Sequence, residues 1–450
     1  MDDTMRTLSE YAASLTYADI TPQAVHSVKR SLIDSIGCAL GAFHAEPAEI
    51  GRRLASRISS TTPATLWGTK FKTSPDWAAF VNGVMVRYLD FSDDYIVKDG
   101  PHPSDSIPAV LAIAEALHAD GKSLACAITL TYEIIDQLVD VAEFSSRGWD
   151  YVTEHSAGSA MGAGKLLGFS QEKMAHAIAL ALTPNIGLYQ TRTGQLSMWK
   201  GCAGPNGARN GIFAAMLAGE GMTGPDLAIE GRYGLWNQVT GRFQLGRLGG
   251  HGHPFKVEDT FFKYRPMMYP VMLPVEIALE MRRDLDIDDI DSIRVVLDHF
   301  SRYQTTLADI GDPRTRETAD HSLPYLVVNT LIEGEVTKKT FTAERFRDPK
   351  VLALVKKFTI EESEAYTREF PKAFNCLIEV TGKSGRKWVM EKKNPKGHPG
   401  NPMSDTEIEE KFLKLTQNML SPKQAKSTLE LVWHLDEIDD VGRILDAIII

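Results

Sequence analysis

Cysteine is scarce. Four thiols are spread through 450 residues, at Cys38, Cys126, Cys202 and Cys376, and none forms a CxxC pair. That spacing excludes a disulfide scaffold, a zinc knuckle and a local iron–sulfur motif, and it fits buried, reduced thiols in a cytosolic protein. Long apolar runs are missing as well. No window reaches the roughly 18 apolar residues of a membrane span, and the opening MDDTMRTLSEYAASL lacks the basic start and apolar core of a secretory leader. Basic excess is absent: 49 Lys and Arg stand against 59 Asp and Glu, a net charge of −10. This balance gives no global field for nucleic acid, although a local cationic pocket remains compatible with it. Also absent are HExxH, a GxSxG elbow and a GxGxxG turn after a strand, so zinc-protease, serine-hydrolase and dinucleotide readings lack a motif. Gly158 to Lys165 (GSAMGAGK) has the wrong glycine spacing for a phosphate loop, and Leu166 stands where the magnesium-holding hydroxyl belongs. Gly249 to His253 (GGHGH) offers two imidazoles without the further ligands a metal needs.

What is present is ordinary globular material, 43% hydrophobic and 24% charged, which excludes a disordered or fibrous chain. The first half reads as consecutive helices. Thr21-Pro22 is a capping residue followed by proline at the first helical position, and Val25, Val28, Leu32, Ile36 and Ala39 then recur on one face. Helical patterns follow from Ile107-Pro108, over Leu124 to Ala142, over Ala157 to Leu167, over Gln171 to Leu182 and over Gly207 to Leu217. Near Val257 the texture changes. Ile290 to Phe300 carries a β-branched alternating run, and Phe374 to Val380 and Arg386 to Glu391 flank Gly382-Lys-Ser-Gly385 as a hairpin. Leu323 to Ile332 and Pro349 to Phe358 read as helices between them. After the breaker-rich PKGHPGNP, Ser404 with Glu407 makes a capping box, and Ser421-Pro422 opens another helix. The expected class is mostly α with a smaller α+β domain: helical residues 1–257, an inserted α+β unit over 258–403, and residues 404–450 returning to the helical domain.

Five polar segments interrupt this apolar framework. LDFSDDYIVKDGPHPSD (Leu89 to Asp105) gathers Asp90, Asp93, Asp94, Asp99 and His102, and a carboxylate beside an imidazole suits proton transfer, while capping is the commoner use of Asp. GWDYVTEHSAGS places His155 ahead of a Gly/Ala-rich helix, where backbone amides favour an anion; a core or capping histidine is the bland alternative. SMWKGCAGPNGAR sets Lys200 among bulky apolar residues, so it either reaches solvent or meets an anion, with Arg209 nearby in the chain. KYRPMMYP brings Lys263 to the junction of the two textures, which suits an interdomain ligand or plain surface charge. ADHSLPY puts His321, Ser322 and Tyr325 at a helix start, with an Asp cap over a packed tyrosine as the alternative.

Taken in order, LDFSDDY with HPSDS, GWDYVTEHSAGSAMGAGKLLG, MWKGCAGPNGARNG, KYRP, ADHSLPY and GHPGNPMSD resemble the MmgE/PrpD family of 2-methylcitrate dehydratases, which also includes cis-aconitate decarboxylases and an iminodisuccinate epimerase. No one segment is distinctive; their order over nearly the whole chain is. The resemblance implies a large helical domain with an α+β lid domain, an active site in the cleft between them, and a homodimer. Carried over position by position, it implies that Asp90, His102, His155 and Tyr325 are catalytic, and that Lys200 and Lys263 hold substrate. Ser104, within HPSDS, and Arg209 join the substrate-binding set. The implied partner is a small di- or tricarboxylate, with no metal, no cofactor, no nucleic acid and no membrane. Two departures stand out. Asp94 occupies a place where the family often has Thr, and Met268 occupies one where decarboxylase-type members carry a histidine. The expected activity is therefore dehydration of 2-methylcitrate or a relative. An isomerase, epimerase or decarboxylase of a related carboxylate, and a non-catalytic carboxylate-binding paralogue, are the alternatives.

Overall fold

A computed structural model describes residues 1–450. The chain is 55% helical and adds one small mixed sheet, so the mostly α class with an α+β part holds. It forms two compact units. One comprises residues 1–189, 201–261 and 404–450; the other comprises 190–200 and 262–403, so the chain passes between them four times. No helix is long and apolar enough to cross a membrane.

In the first unit the helices begin where capping chemistry predicts. Thr21 accepts from the Ala24 amide to open Pro22–Gly41, whose Val28, Leu32, Ile36 and Ala39 are fully buried. The core around them is built from Pro75–Tyr88, Ile107–Ala116, Gly121–Val141, Val152–Leu166 and Ala203–Gly219. Ile107–Ala116 carries a single polar side chain, Glu115, and is buried from Ile107 to Glu115 because other helices enclose it. Glycine lets two of them meet closely. A Cβ on Gly207 would lie 2.4 Å from the Val152 carbonyl oxygen, and one on Gly211 would lie 2.4 Å from that of Ser156. The Ala203–Gly219 helix can therefore lie flush against the helix that carries His155. The GSAMGAGK segment sits inside Val152–Leu166 as regular helix.

The tail closes this unit. Ser404 and Glu407 form the reciprocal capping box that opens Asp405–Thr416, with the Ser404 amide 2.7 Å from the Glu407 carboxylate. Ser421 caps Pro422–Trp433 in the same way.

The second unit holds a four-stranded sheet in the order Phe358–Glu362, Ile290–Leu297, Asn375–Gly382, Lys387–Lys393. The last two form the expected antiparallel hairpin, pairing Thr381 with Lys387. The first strand corrects the sequence reading, which took 349–358 as one helix. The helix stops at Val355, and Phe358–Glu362 then pairs in parallel with Ile290–Leu297. This strand is five residues long, lies at the sheet edge and is exposed at three of its positions, so little alternation marks it. Leu323–Glu333 forms as expected, opened by Ser322 and ended by Gly334 in the left-handed conformation.

Candidate functional site

The loop after Pro75–Tyr88 carries the acidic segment. Its turn is tight. The Asp90 amide donates to the Arg87 carbonyl oxygen at 3.0 Å, and Asp90 has φ of +52°, a conformation Asp tolerates better than most residues. Its carboxylate is met by Arg87, whose Nη1 donates to Oδ1 at 2.9 Å. Arg87 Nε also lies 3.8 Å from Asp105 Oδ2, and all three side chains are at most 2% exposed. Burial by itself would lower the Arg87 pKa. The facing Asp90, Tyr151, Asp105 and Asp94 outweigh it, and the net shift is upward.

His102 stands beside this ion pair. Its Nδ1 lies 2.5 Å from the Asp93 carbonyl oxygen and 3.7 Å from Asp94 Oδ2, and its Nε2 lies 4.0 Å from Asp90 Oδ1. A carbonyl only accepts, so Nδ1 carries the proton and the acceptor nitrogen of the neutral ring is Nε2, on the Asp90 side. Asp93 fixes the strand of chain behind the ring. It accepts from the Ser104 amide at 3.1 Å and from the Tyr132 hydroxyl at 2.6 Å. Burial raises its pKa to about 6 against the lowering effect of those bonds. Ser104 thus enters through its backbone, as a brace for Asp93.

His155 lies within the first turn of Val152–Leu166 rather than ahead of it, fully buried, with Nδ1 3.1 Å from the Ser106 hydroxyl. The ring meets Tyr151 edge-on at 6.3 Å. Arg209 is placed differently: its Nη2 pairs with Asp76 at 3.2 Å and its guanidinium lies 5.2 Å from the Trp77 ring, about a third exposed.

The second unit has its own charged cluster. Lys200 is 1% exposed, and its Nζ donates to Asp320 Oδ1 at 2.9 Å. The same oxygen lies 2.6 Å from His321 Nδ1, and Arg316 Nη1 lies 3.5 Å from Oδ2. Arg192 braces Lys200 by donating to its carbonyl oxygen at 3.1 Å. One buried carboxylate therefore orders an ammonium, an imidazole and a guanidinium. Lys263 is wholly buried, and the neighbouring Phe262 amide donates to the Gly397 carbonyl oxygen at 3.0 Å. Gly397 has φ of +97°, and a Cβ there would stand 1.9 Å from the Phe262 oxygen, so only glycine permits the approach. Tyr325 is buried and its hydroxyl donates to the Thr340 carbonyl oxygen at 2.6 Å. Burial raises its pKa.

The sequence reading missed Arg87, Asp320, Arg316 and Arg192. Asp320 resembles a cap, and Arg87 resembles the routine cation at a helix end, so neither carries a local signal.

Residues 6–247 match the MmgE/PrpD N-terminal domain and residues 266–437 match the MmgE/PrpD C-terminal domain. The chain belongs to the MmgE/PrpD family. Among its relatives is cis-aconitate decarboxylase of Homo sapiens, 26% identical over 95% of this chain and 90% of that protein. Another is 2-methylcitrate dehydratase of Salmonella typhimurium, 23% identical over 79% of this chain and 77% of that protein. The mitochondrial 2-methylcitrate dehydratase of Yarrowia lipolytica is 24% identical over 80% of this chain and 74% of its own. The family resemblance drawn from the six segments is thus correct.

Proposed function

We propose that this MmgE/PrpD protein is a hydro-lyase that removes water from 2-methylcitrate or a closely related small di- or tricarboxylate, giving an enoate. The reading rests chiefly on the Asp90–His102 geometry. Dehydration takes a proton from the carbon α to a carboxylate, moves that electron pair into the new double bond, and expels hydroxide, which leaves as water once protonated. His102 Nε2 is the proposed proton acceptor, since Nδ1 is committed to the Asp93 carbonyl oxygen. Asp90, tied to Arg87, remains a carboxylate that stabilises the imidazolium formed 4.0 Å away. Negative charge grows on the substrate carboxylate as the proton leaves. Lys200 and Lys263 are the proposed preorganised cations for it, with Arg209 and Ser104 as further substrate contacts. His155 and Tyr325 are assigned to orienting substrate or completing the proton path. In this reading residues 258–403 form the lid-type domain, residues 404–450 return to the helical one, and the protein acts as a cytoplasmic homodimer.

The decarboxylase reading stays as the second one because the human cis-aconitate decarboxylase aligns over more of the chain than the dehydratases do. Met268 in place of that branch's histidine speaks for dehydration. The test offers purified protein 2-methylcitrate, citrate and cis-aconitate, and follows enoate absorbance, CO₂ release and racemisation in parallel. Dehydration with losses of about 10²-fold or more in His102→Ala and Lys263→Ala is expected. CO₂ release from cis-aconitate, with no enoate gained from 2-methylcitrate or citrate, would move the assignment to decarboxylation. Wild-type rates in both variants would remove those residues from the chemistry.

A further inference from the structure

The helix Asp405–Thr416 buries one face, and Ile408 and Phe412 on that face are fully enclosed. Lys411 shares the face and is only 7% exposed. An ammonium in an apolar stripe loses hydration that a leucine would not have to give up, and its contacts must offset that loss. Two are with the helix beneath and the loop beyond. Its Nζ pairs with Asp34 Oδ1 of Pro22–Gly41 at 2.6 Å, and the same Nζ donates to the Phe91 carbonyl oxygen at 2.6 Å. It also lies 3.9 Å from the centre of the Phe91 ring, a cation–π distance.

Phe91 is the residue after Asp90. The loop around it is fixed on both flanks: Arg87 takes the Asp90 carboxylate, Tyr132 and Ser104 take Asp93, and the amides of Asp94 and Phe261 each donate 2.8 Å to the other's carbonyl oxygen. Lys411 supplies the hold between these flanks, on the peptide that follows the left-handed Asp90. We propose that Lys411 is a positioning residue for the Asp90–His102 pair, acting through the Phe91 carbonyl and ring, with Asp34 supplying only the counter-charge that lets the ammonium be buried. The role of the pair rests on the proposed dehydration; the hold on the loop does not.

The experiment compares Lys411→Met, Lys411→Arg and Asp34→Asn in the full chain. Met keeps the length and apolar stem but loses the donor. Asn at 34 removes the counter-charge and leaves the donation to Phe91 intact. Hydrogen exchange of residues 89–94, read by mass spectrometry, should quicken in Lys411→Met, quicken less in Lys411→Arg, and stay near wild type in Asp34→Asn. Turnover should follow the same order. The expectation for Lys411→Met is roughly a tenfold or greater fall in kcat with little change in KM, since small misplacements of reacting groups are costly. Both Lys411→Met and Asp34→Asn should melt lower than wild type, so melting temperature alone does not separate a structural role from a positioning one. Wild-type exchange over 89–94 in Lys411→Met overturns the proposal. So does a kcat loss that is equal in Lys411→Met and Asp34→Asn and tracks melting temperature. If the wild-type protein turns over none of the three carboxylates, the dehydratase reading fails, and the exchange comparison still decides the inference.

Discussion

Arg87→Met is the most demanding test of the helical-unit cluster. The guanidinium bonds Asp90 through Nη1 at 2.9 Å and lies 3.8 Å from Asp105 through Nε, with all three groups withdrawn from water. Methionine fills much of the volume but leaves two buried carboxylates without that cation. Breaking a buried pair by deleting one partner costs about 3–5 kcal/mol, far above the roughly 0–1 kcal/mol of a surface pair. The pH dependence follows with a definite sign. Without its cation, a buried carboxylate binds a proton more readily, so its folded-state pKa rises above the unfolded value near 4. The penalty is then fully present at alkaline pH and fades as the pH falls toward the carboxyl range. Urea unfolding followed by tryptophan fluorescence, run near pH 8 and again near pH 5, reads both quantities. Arg87→Lys should fall between wild type and Met, because a single ammonium cannot copy the two-armed contact. A loss below about 1 kcal/mol, or one identical at both pH values, would refute the assignment of Arg87 as the shared counter-ion.

Three further outcomes are expected. Glu154 is fully buried with neither carboxylate oxygen hydrogen-bonded, and burial, aided by Asp99, Asp136 and Asp150, raises its pKa well above the usual range. A raised folded-state pKa means stability drains away as pH climbs past the unfolded value; Glu154→Gln should therefore melt above wild type near pH 8 and lose that advantage near pH 4, and a lower melting point at pH 8 would contradict it. Gly207→Ala should cost several degrees of melting temperature and most of the activity, because its methyl would stand 2.4 Å from the Val152 oxygen and 3.3 Å from His155 Cβ; wild-type stability measured by calorimetry would show that the helices give way freely. Asp320→Asn should weaken citrate-induced stabilisation in thermal-shift titrations by disordering Lys200 and His321, and an unchanged shift would separate this cluster from carboxylate binding.

Much of this architecture is legible in the chain. Helix starts at Thr21-Pro22 and Ser404 announce themselves because capping is local chemistry that needs no tertiary partner. Asp90 and His102 are conspicuous because polar residues crowd between apolar helices. The carriers of the site's electrostatics are not legible. Arg87, Asp320 and Lys411 each look ordinary in sequence, since what distinguishes them is burial against residues 3, 120 and 320 or more positions away. The left-handed Asp90 is equally silent, because no glycine or asparagine advertises the turn. The edge strand at Phe358–Glu362 escapes for a related reason: its partner Ile290–Leu297 lies some sixty residues upstream, and a half-exposed five-residue segment has no periodicity of its own.

The grip of Lys411 on Phe91 has a consequence for biogenesis. A ribosome releases Lys411 only after residues 262–403 have been made, yet the loop that carries Asp90 and Phe91 is held by this later helix. A nascent or prematurely terminated polypeptide would already contain Asp90 and His102 while lacking the clamp that seats them. The Phe91 loop therefore takes this hold only after residue 411 has emerged, and a polypeptide stopped before that point should exchange faster over residues 89–94.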